Sequence, residues 1–353
     1  MSNHRPILQP NELSNDAVTS MRTRVIAALA GITVVVPFII FGDWPFFALM
    51  VLVLVLAIIE IIRCAKTKYS KVLYAVALLL AFLVLLWNVL QDLPSLIRDN
   101  SWDSWRIFDS YNRLSVSVTI MFIGMALLTL TVLVDKNFTI IDACFIFMTV
   151  VLISLGVESF LFLRFFPVHL HHLELARLNQ TVSYINSYDN LGSFFFVFYM
   201  CLGACLNDAF AYFVGVFFGK HKMNPRISPK KTWEGFFGGV ILTAAFLCGY
   251  AFIFAGTGHP LLKGLLDMNR WYHIVILSIL IPLVSTLGDL FFSSIKRHYQ
   301  IKDFSNLIPG HGGILDRLDS LMFAAITMAI YASIFTDQSV FTGIANSGGI
   351  SLP

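Results

Sequence analysis

Long apolar stretches separated by short polar ones run along most of this chain. A helix crossing a hydrocarbon core needs about 20 mostly apolar residues. Nine stretches suit that length: 25–42, 45–63, 71–90, 115–134, 139–163, 193–219, 235–256, 271–295 and 320–337. The pattern predicts an all-α fold, a polytopic transmembrane helical bundle of about nine spans, behind a polar N-terminal segment at 1–24. The first run, Val25 to Phe41, lacks a small-residue cleavage site and leads into Gly42-Asp43-Trp44-Pro45 and a second apolar run. That order predicts a retained span and a tight hairpin rather than a removed signal. Pro282 inside the eighth stretch predicts a kink or break that frees backbone carbonyls near a cavity.

Composition strengthens the membrane assignment. Apolar residues make up 57% of the 353 and charged residues 13%, where a soluble domain carries about 25% charged residues. A formal charge of +3 is too small to point to nucleic acid. Cys64, Cys144, Cys201, Cys205 and Cys248 all lie in or beside apolar runs without a CxxC pair. They indicate neither a zinc site nor a disulfide framework and read as buried, inert thiols.

Charge also sets an orientation. With nine spans and a cytoplasmic N-terminus, most of the 24 lysines and arginines face inward. Arg98, Arg106, Arg113, Arg164, Arg177, Lys263 and Arg270 fall outside, as the positive-inside rule expects. His169, His171 and His172 then lie in an outer loop and read as solvated. Glu60, Asp142 and Glu158, each toward the end of a span and without a motif, read as interfacial.

The densest polar segment is Ser293 to Asp319, where Lys296, Arg297, Lys302, Asp303, His311, Asp316, Arg317 and Asp319 sit beside apolar spans. Charges there are costly and mark function by default. Asp289 lies just before them, inside the eighth span, and Asp319 shares a helix face with Asp316. Hard carboxylate oxygens with substrate phosphates suit Mg²⁺, so Asp289 and Asp316 are candidate metal ligands. Asp319 is a third ligand or an anchor, and helix capping is the plainer alternative for these acids. Lys296, Arg297 and Lys302 suit a lipid phosphate or a triphosphate, against simple anchoring to anionic headgroups. Gly310, Gly312 and Gly313 permit strained turns and close approach to phosphate. His311 either donates to a phosphate or shapes the loop.

Two further segments carry polar chemistry. Ser228-Pro229-Lys230-Lys231-Thr232 places hydroxyls and ammoniums at a rigid turn before a helix N-terminus, which suits an anion. Asp208 sits inside the sixth span, with Ala211 and Gly215 as small positions for helix packing.

Ser293 to Asp319 resembles the diagnostic motif of the phosphatidate cytidylyltransferases (CDP-diacylglycerol synthases). The match includes Ser293, Lys296, Arg297, Lys302, Asp303, Ser305, Pro309, His311, Gly312, Gly313, Asp316, Arg317 and Asp319. Ser228 to Gly235, with Trp233 and Glu234, is similar to a second recurrent block of that family. Asp208 to Gly215 resembles its Asp-x-x-Ala-Tyr-x-x-Gly stretch. The likeness is specific over 207–319 and general before it. It implies N-terminal transmembrane helices over 25–190, a C-terminal catalytic transmembrane region over 191–340 and a tail over 341–353. It also implies transfer of the cytidylyl group of CTP to phosphatidic acid, giving CDP-diacylglycerol and pyrophosphate for phospholipid biosynthesis. Ser228, Lys230, Lys231 and Thr232 would contact the nucleotide, and Asp208 would complete the metal or cytosine environment. The resemblance points the same way for Asp289 and Asp316 as Mg²⁺ ligands, with a second cation left open. The implied partners are CTP, phosphatidic acid and the lipid bilayer, with no nucleic acid; a homodimer is left open. The site would face the cytoplasm from a multi-pass cell-membrane protein. Another CTP-dependent membrane lipid enzyme, polyprenol kinase-like, is the alternative. An ion-coupled transporter fits less well, because the polar groups concentrate at one face rather than in repeated halves.

Overall fold

The computed structural model describes residues 30–31, 33–65, 70–86, 138–178, 187–308, 312–337 and 339, with a few positions between 124 and 132. Its helices are α1 (Asp43–Cys64), α2 (Lys71–Leu85), α3 (Ile140–Arg177), α4 (Ser187–Phe218), α5 (Trp233–Gly256), α6 (Trp271–His298) and α7 (Leu315–Phe335). A two-stranded antiparallel hairpin, β1 (Lys222–Asn224) and β2 (Ser228–Thr232), joins α4 to α5. Among the described residues six helices are long and apolar enough to cross a membrane, and α2 is a shorter apolar helix. The expected span 25–42 is described only from residue 30 and is helical over 33–41. The expected span 115–134 lies mostly outside the described residues, as do segments 1–24 and 341–353.

The long α3 is the spine, packing against α1, α2, α4 and α7. In a bilayer the hydrophobic effect does not drive helix against helix, so close packing of small residues carries association. A Cβ on Gly235 would lie 2.6 Å from the Ala211 carbonyl, and one on Gly239 would lie 2.8 Å from the Ala211 side chain. The small positions Ala211 and Gly215 therefore let α4 and α5 touch backbone to backbone. A Cβ on Gly288 of α6 would meet the Asp319 carbonyl of α7 at 2.5 Å. Phe217, Phe218, Ile253 and Ile334 face outward, as lipid-facing positions do.

Several expectations are revised. α3 does not stop near residue 163 but runs through Pro167 to Arg177. His169 and His171 thus sit half-buried on a helix, not in an open loop. The polar residues that end the apolar stretch are accommodated by tertiary partners. Arg164, only 1% exposed, donates from Nε to the Ile39 carbonyl (2.7 Å) and from Nη2 to the Ile40 carbonyl (3.2 Å). It satisfies carbonyls at the end of helix 33–41, which have no partner within that helix. The tight hairpin beside it is present, with positive φ at Gly42 (66°) and Asp43 (41°). α6 passes Pro282 without a break. The five cysteines are free, but only Cys64 is buried; Cys144 and Cys205 are exposed. Glu60 and Glu158, expected near solvent, are buried.

The bundle has two chemically distinct ends. One gathers the C-termini of α1, α4 and α6, the hairpin, and the N-termini of α5 and α7. The other is tied by Lys263 to Glu174 (2.6 Å) and by an Arg270–Asp337 ion pair.

Candidate active site

A cavity of about 580 Å³ opens between α4, the hairpin, the start of α5 and α6. Asn207, Asp208, Ser228, Lys230, Lys231, Thr232, Thr286 and Asp289 line it. Elements distant in sequence thus bring the Asp208 segment, the Ser-Pro-Lys-Lys-Thr segment and Asp289 to one space.

The hairpin is positioned by polar contacts at both edges. Trp233 N donates to the His221 carbonyl (3.0 Å). Glu234, in the first turn of α5, accepts from the backbone of Lys220 (3.1 Å) and His221 (3.2 Å) and bonds His221 Nδ1 (2.6 Å). Arg297 Nε of α6 donates to the Ile227 carbonyl (3.2 Å). Thr232, 5% exposed, caps α5 by accepting from Gly235 N (3.2 Å). Its hydroxyl therefore does capping work of the kind Thr does at N-termini, while Lys230 remains exposed.

At the cavity wall, Lys231 Nζ pairs with Asp289 Oδ2, and Ser293 Oγ donates to Asp289 Oδ1 (3.3 Å). Asp208 lies within the electrostatic reach of Asp289, Lys231 and Arg317. Asp319 senses Asp289, Lys296 and Asp208. Carboxylates from α4, α6 and α7 therefore share one field. Deeper in, Asn207 Nδ2 donates to Thr286 Oγ1 (2.8 Å), and Thr286 donates to the Pro282 carbonyl (3.1 Å). The Pro282 turn is stitched rather than broken, and Asn207 Oδ1 is left buried without a hydrogen-bond partner among the described residues.

The Lys296–Asp319 region forms a second cluster beside this cavity. Lys296, 8% exposed, donates from Nζ to Asp316 Oδ1 (2.9 Å) and Asp319 Oδ2 (3.5 Å). Asp316 Oδ2 also accepts from Phe304 N (2.8 Å) and Gly313 N (2.9 Å). Asp316 is thus an anchor of its loop as well as an ion-pair partner. Lys302 and Arg317 are exposed. Pro309, Gly310 and His311 lie outside the described residues.

The glycines here make room for protein carboxylates. Gly312 has φ of 86°, a conformation that favours Gly, and a Cβ there would lie 2.9 Å from Asp316 Oδ2. A Cβ on Gly313 would lie 2.6 Å from both Glu60 oxygens. Glu60 reaches this loop from α1. Its Oε1 accepts from Ser305 Oγ (2.6 Å) and Ile314 N (3.0 Å), and its Oε2 accepts from Leu315 N (2.9 Å). Sequence reasoning set Glu60 aside. The one available indication was an acid within a span, without a pattern to link it to residues 245 to 255 positions away.

Among the described residues no three His, Cys, Asp or Glu side chains form a ready metal cage. Mg²⁺, however, is usually held by one or two carboxylates plus substrate phosphates. Asp289 with Asp208 nearby fits that donor set. Asp316, close to Lys296 and two backbone amides, has less free capacity.

Comparison with known proteins bears on this site. A model of the cytidylyltransferase family matches residues 22–335. The chain is 28% identical over 319 residues to the phosphatidate cytidylyltransferase of Bacillus subtilis, covering 90% of this chain and 100% of that protein. It is 32% identical over 312 residues to the phosphatidate cytidylyltransferase of Haemophilus influenzae, covering 86% and 96%. Identity to the Mycobacterium bovis phosphatidate cytidylyltransferase reaches 40%, over 137 residues, or 37% of this chain and 39% of that one.

Proposed function

Because the chain belongs to the cytidylyltransferase family, we propose that its cavity binds CTP and that it transfers the cytidylyl group to phosphatidic acid. The products are CDP-diacylglycerol and pyrophosphate. The observation that carries this is the convergence of Ser228, Lys230 and Lys231 with Asp208 and Asp289 around one cavity. An oxygen of the lipid phosphate attacks the α-phosphorus of CTP. A new P–O bond forms, the α–β P–O bond breaks, and pyrophosphate leaves. The nucleophile is already an anion at neutral pH, so the chain needs no strong general base. Its work is positioning and charge neutralisation, as in phosphoryl transfer generally.

Lys230 and Lys231 neutralise the triphosphate, and Ser228 donates to it. Lys296, Arg297 and Lys302 lie on the side where the lipid phosphate arrives. Asp289 and Asp316 would hold Mg²⁺, with Asp208 and Asp319 shaping the same field. When bound, the ion supplies Lewis-acid charge to the phosphate oxygens. The cationic end, with Lys220, Lys222, Arg226, Lys230, Lys231 and Arg297, faces the cytoplasm of a cell membrane, in line with the positive-inside rule and with the supply of CTP. Purified protein given labelled CTP and a panel of lipid acceptors is the test. Label at the α-phosphate of CTP appearing in CDP-diacylglycerol with phosphatidic acid supports the proposal; label at the γ-phosphate passing to a polyprenol, with no α-label in any lipid, would move the chain to the kinase-like alternative.

A further inference from the structure

Resting on that function, we infer that Glu60 of the N-terminal half is a positioning residue for the lipid-phosphate side of the reaction. It holds the part of the Lys296–Asp319 segment formed by Ser305, Ile314 and Leu315 in the shape that sets Asp316 and Lys296.

Among the described residues, every hydrogen bond of its carboxylate goes to that one segment: Ser305 Oγ, Ile314 N and Leu315 N. Glu60 is 5% exposed. A buried carboxylate is costly unless fully hydrogen-bonded or paired. Here three donors meet two oxygens, at a helix N-terminus whose partial positive charge favours an anion. α7 has no side-chain cap of its own, since Ile314 occupies that position. The helix that carries Asp316 and Asp319 is therefore capped from α1.

The hold passes directly to the reacting side. Ile314 and Leu315 lie between Gly313 and Asp316. Gly313 N donates to Asp316 Oδ2, and Asp316 Oδ1 accepts from Lys296. The lack of a Cβ on Gly313 is what lets the Glu60 carboxylate reach these amides. Glu60 does not line the nucleotide cavity, which is built from α4, the hairpin, α5 and α6. Loss of Glu60 should thus act on turnover and the lipid acceptor while sparing CTP binding measured without Mg²⁺, which rests on the cavity residues alone.

Glu60→Gln converts one oxygen to an amide donor, so the three donors cannot all be accepted; Glu60→Ala removes the contact. Both variants should lower kcat at least tenfold and raise KM for phosphatidic acid several-fold in detergent micelles. CTP affinity by calorimetry without Mg²⁺ should stay within twofold. Hydrogen exchange at Ile314 and Leu315 should speed up at least tenfold in Glu60→Ala, with amides of α5 unchanged. A loss of CTP affinity equal to that for phosphatidic acid would show a general fold defect and overturn the inference. So would unchanged exchange at Ile314 and Leu315 with a fully active parent chain. If the parent chain forms no CDP-diacylglycerol, the proposed function fails together with the kinetic half of the inference, and exchange alone decides the hold.

Discussion

Lys231 of β2 and Asp289 of α6 form an ion pair across the wall of the cavity. The pair links the hairpin proposed to bind the triphosphate to the carboxylate proposed to hold Mg²⁺. Both side chains are about one quarter exposed, 25% and 24%, so each is open to a ligand while paired.

Lys231→Ala removes a charge from the proposed triphosphate site and breaks the ion pair with Asp289. It should raise the KM for CTP several-fold or lower turnover, and change the KM for phosphatidic acid less. Lys230→Ala, at an exposed position, should have a smaller effect. Steady-state kinetics with each substrate varied separate this outcome from a hairpin that only sets topology, for which kinetics per inserted molecule stay normal.

Asp289→Asn and Asp316→Asn should both abolish turnover by orders of magnitude, but they should differ in stability. Asp289 is partly open, and its loss should leave the thermal midpoint nearly unchanged. Asp316 holds Lys296 and two backbone amides, and breaking a buried pair from one side costs about 3–5 kcal/mol. Thermal unfolding in detergent beside a Mg²⁺ titration reads both. Near-normal turnover of Asp289→Asn at saturating Mg²⁺ would remove it as a ligand.

Lys222 and Lys263 lie at opposite ends of the bundle. In a background without the five native cysteines, Lys263→Cys should label with an impermeant maleimide on intact cells. Lys222→Cys should label only after permeabilisation. The reverse pattern would invert the proposed orientation.

Gly313→Ala drives a methyl into the Glu60 carboxylate at 2.6 Å, whereas a Cβ on Gly249 meets nothing within 4 Å. Gly313→Ala should lower turnover at least tenfold, and Gly249→Ala should leave it within twofold. Equal effects would show that the close approach of Glu60 is unimportant.

The sequence by itself determined the membrane-spanning helical class, because a bilayer leaves only helices or closed barrels for a chain this apolar. It also picked out Asp208, the Ser228–Thr232 segment, Asp289 and the Lys296–Asp319 segment, because charged groups in apolar surroundings stand out and their order is local. Tertiary structure decided how those groups divide their work. Thr232 caps a helix, Asp316 anchors its own loop, and Lys296 is buried between two carboxylates. Only the fold could reveal Glu60 and Arg164, which cap helix ends far away in the chain. A lone charge in an apolar stretch reads the same whether it meets headgroups or a helix terminus. What distinguishes the two is the packing that brings unsatisfied backbone groups to it, and residues 60 and 315 become neighbours only when α1 and α7 assemble.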